Sequence, residues 1–377
     1  MRIGFDLRPF LREETGVGMY LKNLLFHLAR IDKSNEYFLF SASWKDRFPA
    51  KKVPGFARMK FSDRRIPVKA LNFFWYEVSW PRLDCFFRAS LDLTHSATPL
   101  ILPTKGKKIV TVHDLFFMDS PAQAGKEAGK IFFSKSAAAL RRADGIITFS
   151  SFTKDELVAR FDIQERKVKV IPHGLDQKFL EEISASELEG TRKRYNLPSS
   201  FLLFVGAQEP RKNLLRLLDA LKIVHLQGQK IALVFVGPQG QDSAPLLTHA
   251  EKLGLAPWIN MTGYLSEEEV RRIYRLAMAF IFPSLCEGFG LPLIEAMASG
   301  IPVAASFTSA IPEVCKDAAL YFRPEDPESI AEKIIFLLES NQAREELVAK
   351  GKKRALNFSW EKAAAETLEF YLSFLGK

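Results

Sequence analysis

Twice along 377 residues, short apolar runs alternate with longer stretches of helical periodicity, and this rhythm limits the chain to very few folds. In the first half, runs at 109–112 and 145–149 are separated by a helical stretch at 133–142 and followed by another at 153–161. The second half repeats the pattern, with strand-like segments at 201–205, 231–236, 259–262, 279–282 and 302–305 and amphipathic stretches between them. Runs that are apolar at every position, rather than at alternate ones, are what parallel strands buried on both faces require. Alternating βα units with short connections predict a doubly wound parallel sheet, and two such series predict two of them. The length agrees, since it exceeds what a single core usually supports. The break falls near Ile171-Pro172-His173-Gly174-Leu175-Asp176, where a strand ends in Pro and Gly before a polar segment. The expected domains are therefore 1–175 and 176–359. A last helix at 361–374, preceded by Ser359 as its cap, lies in a tail 360–377 expected to cross back to the first domain.

No window approaches the roughly 18 uninterrupted apolar residues needed to cross a bilayer, and Met1 to Asp6 reads as a strand rather than a signal peptide. Cys85, Cys286 and Cys315 form neither a CxxC pair nor an even framework, which suits a reducing cytoplasm and argues against structural zinc. The net charge of +9 is uneven: residues 1–175 carry 30 Lys/Arg against 18 Asp/Glu, the remainder 23 against 26. A basic first half points to an anionic partner, either phospholipid headgroups or a phosphate-bearing acceptor.

The segment from Pro283 to Gly300, PSLCEGFGLPLIEAMASG, carries the most chemistry. A strand runs into a loop containing Gly288 and Gly290, and Pro292 then suits the first turn of a helix. The helix N-terminus faces the carboxyl end of its strand, where free amides and partial positive charge attract phosphate. Glu287 on the loop and Glu295, expected in the first helical turn, flank that position as acceptors for hydroxyls. In a second cluster, the strand 201–205 ends at Gly206, and Ala207-Gln208-Glu209-Pro210-Arg211-Lys212-Asn213 leads into a helix. Arg211 and Lys212 thus point toward the same crevice, two cations for one diphosphate. No Asp-x-Asp pair, the usual magnesium-holding arrangement for nucleotide sugars, occurs in the chain, so the expectation is a metal-independent site with no cofactor.

The Glu-x7-Glu pattern in EGFGLPLIEAMASGIPV, with EPRKN upstream and TGVGMYLKNL near the start, resembles the family 4 retaining glycosyltransferases of the GT-B fold. The resemblance covers essentially the whole chain. It implies two Rossmann-like domains facing across a cleft, the first binding the acceptor and the second the nucleotide-sugar donor. It further implies that Glu295 holds the ribose, Glu287 contacts the transferred sugar, Arg211 and Lys212 grip the diphosphate, and the backbone from Gly288 through Phe289 and Gly290 to Leu291 lines the donor, as does Gly206. One departure stands out: many members carry Arg directly after the glycine at Gly206, and here that place is Ala207.

In the first domain, Gly16-Val17-Gly18 fails the dinucleotide fingerprint, because position 21 is Leu21 and no immediate strand-to-helix turn precedes it. The resemblance makes Gly16 and Gly18 part of a loop touching donor phosphates and acceptor; the alternative is a helix start that needs close packing. His113, following the strand at 109–112, touches the transferred sugar by the same resemblance and joins Glu287, Arg211 and Lys212 as catalytic. An aromatic stretch, Leu71-Asn72-Phe73-Phe74-Trp75-Tyr76-Glu77-Val78-Ser79-Trp80-Pro81-Arg82, reads as a buried helix, since its apolar residues are not confined to one stripe; docking at an anionic membrane is the other reading.

The expected function is retaining transfer of a hexose, GDP-mannose being the favoured donor by resemblance to bacterial mannosyl- and rhamnosyltransferases of surface polysaccharide synthesis, to a saccharide or lipid-linked saccharide. The expected location is cytoplasmic, peripheral at the inner face of the membrane. A phosphorylase or a nucleotide-sugar epimerase uses the same fold, and a basic lobe also fits a non-enzymatic nucleic-acid-binding protein, which the intact Glu-x7-Glu pattern argues against.

Overall fold

The structure, a computed structural model, describes residues 1–11, 16–49, 52–116 and 128–374. Thr15 of the TGVGMYLKNL segment and the tail residues 375–377 lie outside the described residues. The chain divides into two compact units, Met1–Gly174 together with the segment beginning at Ser359, and Leu175–Phe358.

The first unit is built on a seven-stranded parallel sheet in the order β3-β2-β1-β4-β5-β6-β7. These strands are β1 (Arg2–Asp6), β2 (Glu36–Ala42), β3 (Met59–Arg64), β4 (Leu93–Ser96), β5 (Lys107–Val112), β6 (Gly145–Thr148) and β7 (Val168–Val170). Phe5, Phe38, Phe40, Val110, Val112 and Ile146 are fully buried, as expected of strands covered by helices on both faces. The second unit holds a six-stranded parallel sheet, β10-β9-β8-β11-β12-β13, of β8 (Phe201–Val205), β9 (Ala232–Val236), β10 (Ile259–Gly263), β11 (Ala279–Phe282), β12 (Val303–Ser306) and β13 (Leu320–Phe322). Its helices start where side chains cap them: Ser184 with Glu187 and Ser266 with Glu269 each close a reciprocal box at the start of Ala185–Arg194 and Glu267–Leu276.

The C-terminal helix Trp360–Ser373 opens with the Ser359 hydroxyl accepting from the Lys362 amide. Trp360 packs so tightly on Gly174 that a Cβ there would lie 2.3 Å from the indole, and Phe370 and Phe374 fill the space above Gly145 in the same way. On the same helix, the Tyr371 hydroxyl lies 2.5 Å from His95 Nδ1. The helix is thereby fastened to the first unit.

The aromatic stretch departs from the buried-helix expectation. Helix Val68–Phe73 passes into the π-helical turn Phe74–Val78, which turns Leu71 and Trp75, four residues apart, into the core beside Phe38 and Phe40 and leaves Phe73, Phe74 and Val78 on the opposite face in solvent. Apolar residues occupy both faces because the segment has a core on one side only.

Candidate active site

In the second sheet the chain winds outward from β8 through β9 to β10, then returns to the other side of β8 with β11. The β8/β11 pair is thus the place where strand order reverses, and in open α/β sheets the loops leaving such a pair diverge and make a crevice at its carboxyl end. Both sequence clusters leave from here. Gly206 carries the chain off β8, its amide donating to the Val236 carbonyl at 2.8 Å. The neighbouring backbone approaches closely, since a Cβ on Gly237 would lie 2.2 Å from the Gly206 oxygen. The 3-10 turn Pro210–Lys212 follows, then helix Leu214–Leu226.

The two loops are bonded together. The Leu285 amide donates to the Arg211 carbonyl at 2.8 Å. Lys212 Nζ donates to Glu287 Oε1 at 2.5 Å, and Arg211 Nη1 to Glu287 Oε2 at 3.0 Å. Arg211 Nε also reaches Glu209 Oε2 at 3.0 Å. Lys212 and Glu287 are buried, with 6% and 7% of their surface exposed. Burial alone would push the Glu287 carboxyl up, but the Lys212 ammonium and the Arg211 guanidinium outweigh it and hold it at about 2. Glu287 is therefore ionised, its two oxygens shared between two cations, and its backbone is fixed by donation to the Ser309 hydroxyl at 3.0 Å.

Gly288, Phe289 and Gly290 continue the loop with buried backbone, and Phe289 packs edge-on against Phe358. Gly290 caps helix Leu291–Ala298 at φ +96°, where a Cβ would meet Leu293 Cδ1 at 2.7 Å, so both conformation and space demand glycine. Pro292 is in the first turn, as expected. Glu295 is not: the helix opens at Leu291, which places Glu295 one residue beyond the first turn. Its Oε2 is met instead by the Tyr274 hydroxyl at 3.2 Å, which also lies 3.3 Å from the Pro292 carbonyl. Burial pushes the Glu295 carboxyl up to about 7; the Tyr274 hydrogen bond opposes the rise, and Glu267 and Asp176 add to it.

Two positioning residues escape a reading of the sequence by charge and glycine. Tyr274, fully buried against Phe280 and Phe179, follows the helical periodicity of any core tyrosine, so its hydroxyl carries no sequence signal. Asn213, by contrast, stands beside Lys212 in the quoted EPRKN. At φ +60° its side chain donates to the Pro283 carbonyl at 3.1 Å and the Pro324 carbonyl at 2.6 Å, tying the ends of β8, β11 and β13 together. Tolerance of asparagine for left-handed backbone is the signal that marks it.

The remaining candidates belong to the first unit. His113 follows β5, and its Nε2 lies 3.0 Å from the Ala97 carbonyl after β4, which assigns the proton to that nitrogen. Burial lowers its pKa to about 4, so the ring is neutral; Tyr20 and Phe149 meet it edge-on. Gly16 and Gly18 stand in the first turn of helix Gly16–Ile31 rather than in a loop. Among the described residues, a Cβ on Gly16 would meet nothing within 4 Å. Among the described residues, no three His, Cys, Asp or Glu side chains gather into a metal-binding group, and no helix is long and apolar enough to cross a membrane.

Residues 15–179 match the family model described as Glycosyltransferase Family 4, and residues 190–354 that described as Glycosyl transferases group 1. The chain is a family 4 glycosyltransferase. The enzyme is 28% identical over 381 residues to O-antigen chain mannosyltransferase B of Escherichia coli, spanning 98% of this chain and 99% of that one. Among solved structures, sucrose-phosphate synthase from Thermosynechococcus elongatus matches with a TM-score of 0.77 at 19% identity, over 100% of this chain and 99% of that one. HepE from Anabaena, in complex with UDP and glucose, matches with a TM-score of 0.77 at 16% identity over 99% and 100%. These structural likenesses establish the GT-B fold, with its two Rossmann-like domains, for the glycosyltransferase.

Proposed function

We propose that this glycosyltransferase moves a hexose, with retention of configuration, from a nucleotide diphosphate-sugar to a saccharide or lipid-linked saccharide. GDP-mannose is the favoured donor, and the supporting relative is the E. coli O-antigen mannosyltransferase. The observation that carries the reading is the bonded trio Arg211, Lys212 and Glu287 at the reversal point of the second sheet. Without a ligand, Glu287 is shared by both cations, and Glu209 is a second carboxylate for Arg211. An incoming diphosphate competes with these carboxylates for Arg211 and Lys212, and takes hydrogen bonds from them while Glu287 turns its acceptor capacity to sugar hydroxyls. Arg211 takes the part of the arginine that Ala207 replaces. The leading amides around Gly290 add positive potential on the same side, and Glu295 accepts from the ribose.

The acceptor is held by the first, basic domain and the donor by the second. The bond from the anomeric carbon to the phosphate oxygen breaks as the acceptor oxygen bonds that carbon on the same face; the acceptor proton passes to the departing phosphate, releasing nucleoside diphosphate. His113, neutral and held by Ala97, offers its ring to a sugar hydroxyl rather than exchanging protons. No metal enters, since the cations and the helix terminus answer the charge. The enzyme works in the cytoplasm, in peripheral contact with the inner face of the membrane, on no nucleic acid.

Thermal-shift measurements against UDP-, GDP-, dTDP- and ADP-sugars test the donor, and transfer assays in chelator test the metal. GDP-mannose is expected to raise the melting temperature most, and transfer to persist in chelator. Stabilisation by another nucleotide class alone overturns the donor, and activity that is lost on chelation and restored by magnesium or manganese overturns the metal-free site.

A further inference from the structure

Residues 64–82, between β3 and the short helix Leu83–Phe87, hold one helical segment that has a core on only one side. Leu71 and Trp75 face inward, and Arg8 locks them in place: its guanidinium lies 4.6 Å from the Trp75 ring and donates to Asn72 Oδ1 at 2.8 Å while paired with the buried Asp6. The inward face is therefore rigidly seated. The outward face is apolar and in solvent, with Phe73 58%, Phe74 42%, Val78 54% and Trp80 61% exposed. Other exposed aromatic side chains, such as Trp44, Tyr264 and Phe307, stand singly in sequence. Four large apolar side chains within eight residues, held in water by a well-anchored helix, mark a surface that is covered in use.

Charge selects what covers it. Between Arg64 and Leu83 the only carboxylate is Glu77, and Glu77 is paired with Lys135. Arg64, Arg65, Lys69 and Arg88 are all exposed at the ends of the same segment. The whole first half of the chain has the same sign, 30 Lys/Arg against 18 Asp/Glu. Phenylalanine and tryptophan side chains on one face with lysine and arginine at the margin are complementary to a layer that is apolar below and anionic above. The segment is far too short to span that layer, and lying in its plane buries the rings at headgroup depth.

We propose that the outward face of residues 68–80, bearing Phe73, Phe74, Val78 and Trp80 and flanked by Arg65 and Lys69, docks the enzyme on an anionic phospholipid surface. This gives a specific footing to the peripheral membrane contact in the functional reading above, and rests on it only for that contact. Docking here keeps the enzyme, whose described residues hold no membrane-spanning helix, beside any acceptor that is lipid-linked.

The test is co-sedimentation of the full chain with phosphatidylcholine vesicles, with and without phosphatidylglycerol, in the absence of donor and acceptor. Binding is expected only when phosphatidylglycerol is present and is expected to weaken with salt. Lys69→Ala should weaken it roughly five-fold, the value of one basic side chain at such a surface. The double variant Phe73→Ser/Phe74→Ser should abolish it while keeping the wild-type melting temperature and the donor-induced thermal shift, since both side chains are exposed. Three results overturn the proposal: no association with either vesicle, equal association of wild type and double variant, or a wild-type dimer that the double variant converts to monomer with vesicle binding unchanged, which would make this face a contact between copies. A failure to respond to any nucleotide sugar, with vesicle binding intact, strikes the donor assignment and leaves the docking face standing.

Discussion

Lys212 Nζ lies 2.5 Å from Glu287 Oε1, and the two side chains, from loops 75 residues apart, neutralise each other inside the second unit. Removing either partner breaks a buried pair, which typically costs about 3–5 kcal/mol, whereas removing both leaves only Arg211, which keeps Glu209 as its carboxylate. Lys212→Met and Glu287→Gln are each expected to lower stability by that order in urea unfolding, and Lys212→Met/Glu287→Gln to recover a large part of the loss. Transfer should be severely impaired in all three. Strict additivity of the two single effects would show that the pair is not coupled.

Glu295 ties donor affinity to pH. Its carboxyl, raised by burial to about 7, accepts more strongly when ionised, so with the proposed ribose role the donor KM should fall as pH rises through about 7. Stability runs the other way. The folded group keeps its proton above the unfolded value of 4.5, so its contribution is full below about pH 4.5 and is lost as pH rises toward 7. Glu295→Gln should flatten both profiles. Tyr274→Phe removes a hydrogen bond that favours the carboxylate, so it should raise the donor KM roughly five-fold near neutrality and move the acid limb upward in pH. An unshifted limb would assign Tyr274 to packing alone.

Asn213 offers a test of the loop geometry that spares the charges. Asn213→Gly retains the φ of +60° and deletes the two bonds to Pro283 and Pro324, together with the one its Oδ1 accepts from Arg216 Nη1 at 2.8 Å. A loss of about 1–3 kcal/mol is expected in thermal unfolding, because two buried carbonyls lose their donor. Donor KM should rise more than kcat falls, which steady-state kinetics will separate.

In the first unit, burial lowers His95 to about 3 and His113 to about 4, and both stay neutral in the fold. The unfolded chain protonates them near 6.5, so their stabilisation is complete above that pH and is lost as pH falls through 6.5 toward 4. For His113 this amounts to roughly 3 kcal/mol at the acid end. Histidine C2 proton resonances of the native enzyme should show His95, His113 and His173, which burial lowers likewise, not titrating between pH 5 and 8.

Strands buried on both faces were the easiest part of the architecture to read, since runs such as Leu202 to Val205 and Phe280 to Phe282 are apolar at every position. The polar edge strand Met59–Arg64, exposed at its ends, has no such run and is invisible to hydropathy. Within the site, charged residues and glycines at strand ends were legible because each has a local physical reason. Placing Glu295 in the first helical turn failed because Gly290, not a later residue, is the cap, a fact set by its φ rather than its neighbours in sequence. Tyr274 lay beyond reach altogether, since what it does depends on which helix folds against it. The aromatic stretch misled because a helix at the rim of a sheet has one buried side, whatever its composition.

The two places where the chain passes from one unit to the other are each closed locally. Leu175 donates its amide to the Phe358 carbonyl at 3.3 Å, while Gly174 seats Trp360 directly. The block 175–358 therefore begins and ends at adjacent points, like a cassette with its two ends side by side. Exchange of that block between relatives needs only two splice points that lie side by side in the fold, and on the proposed division of donor and acceptor it would swap the donor while the acceptor side is kept.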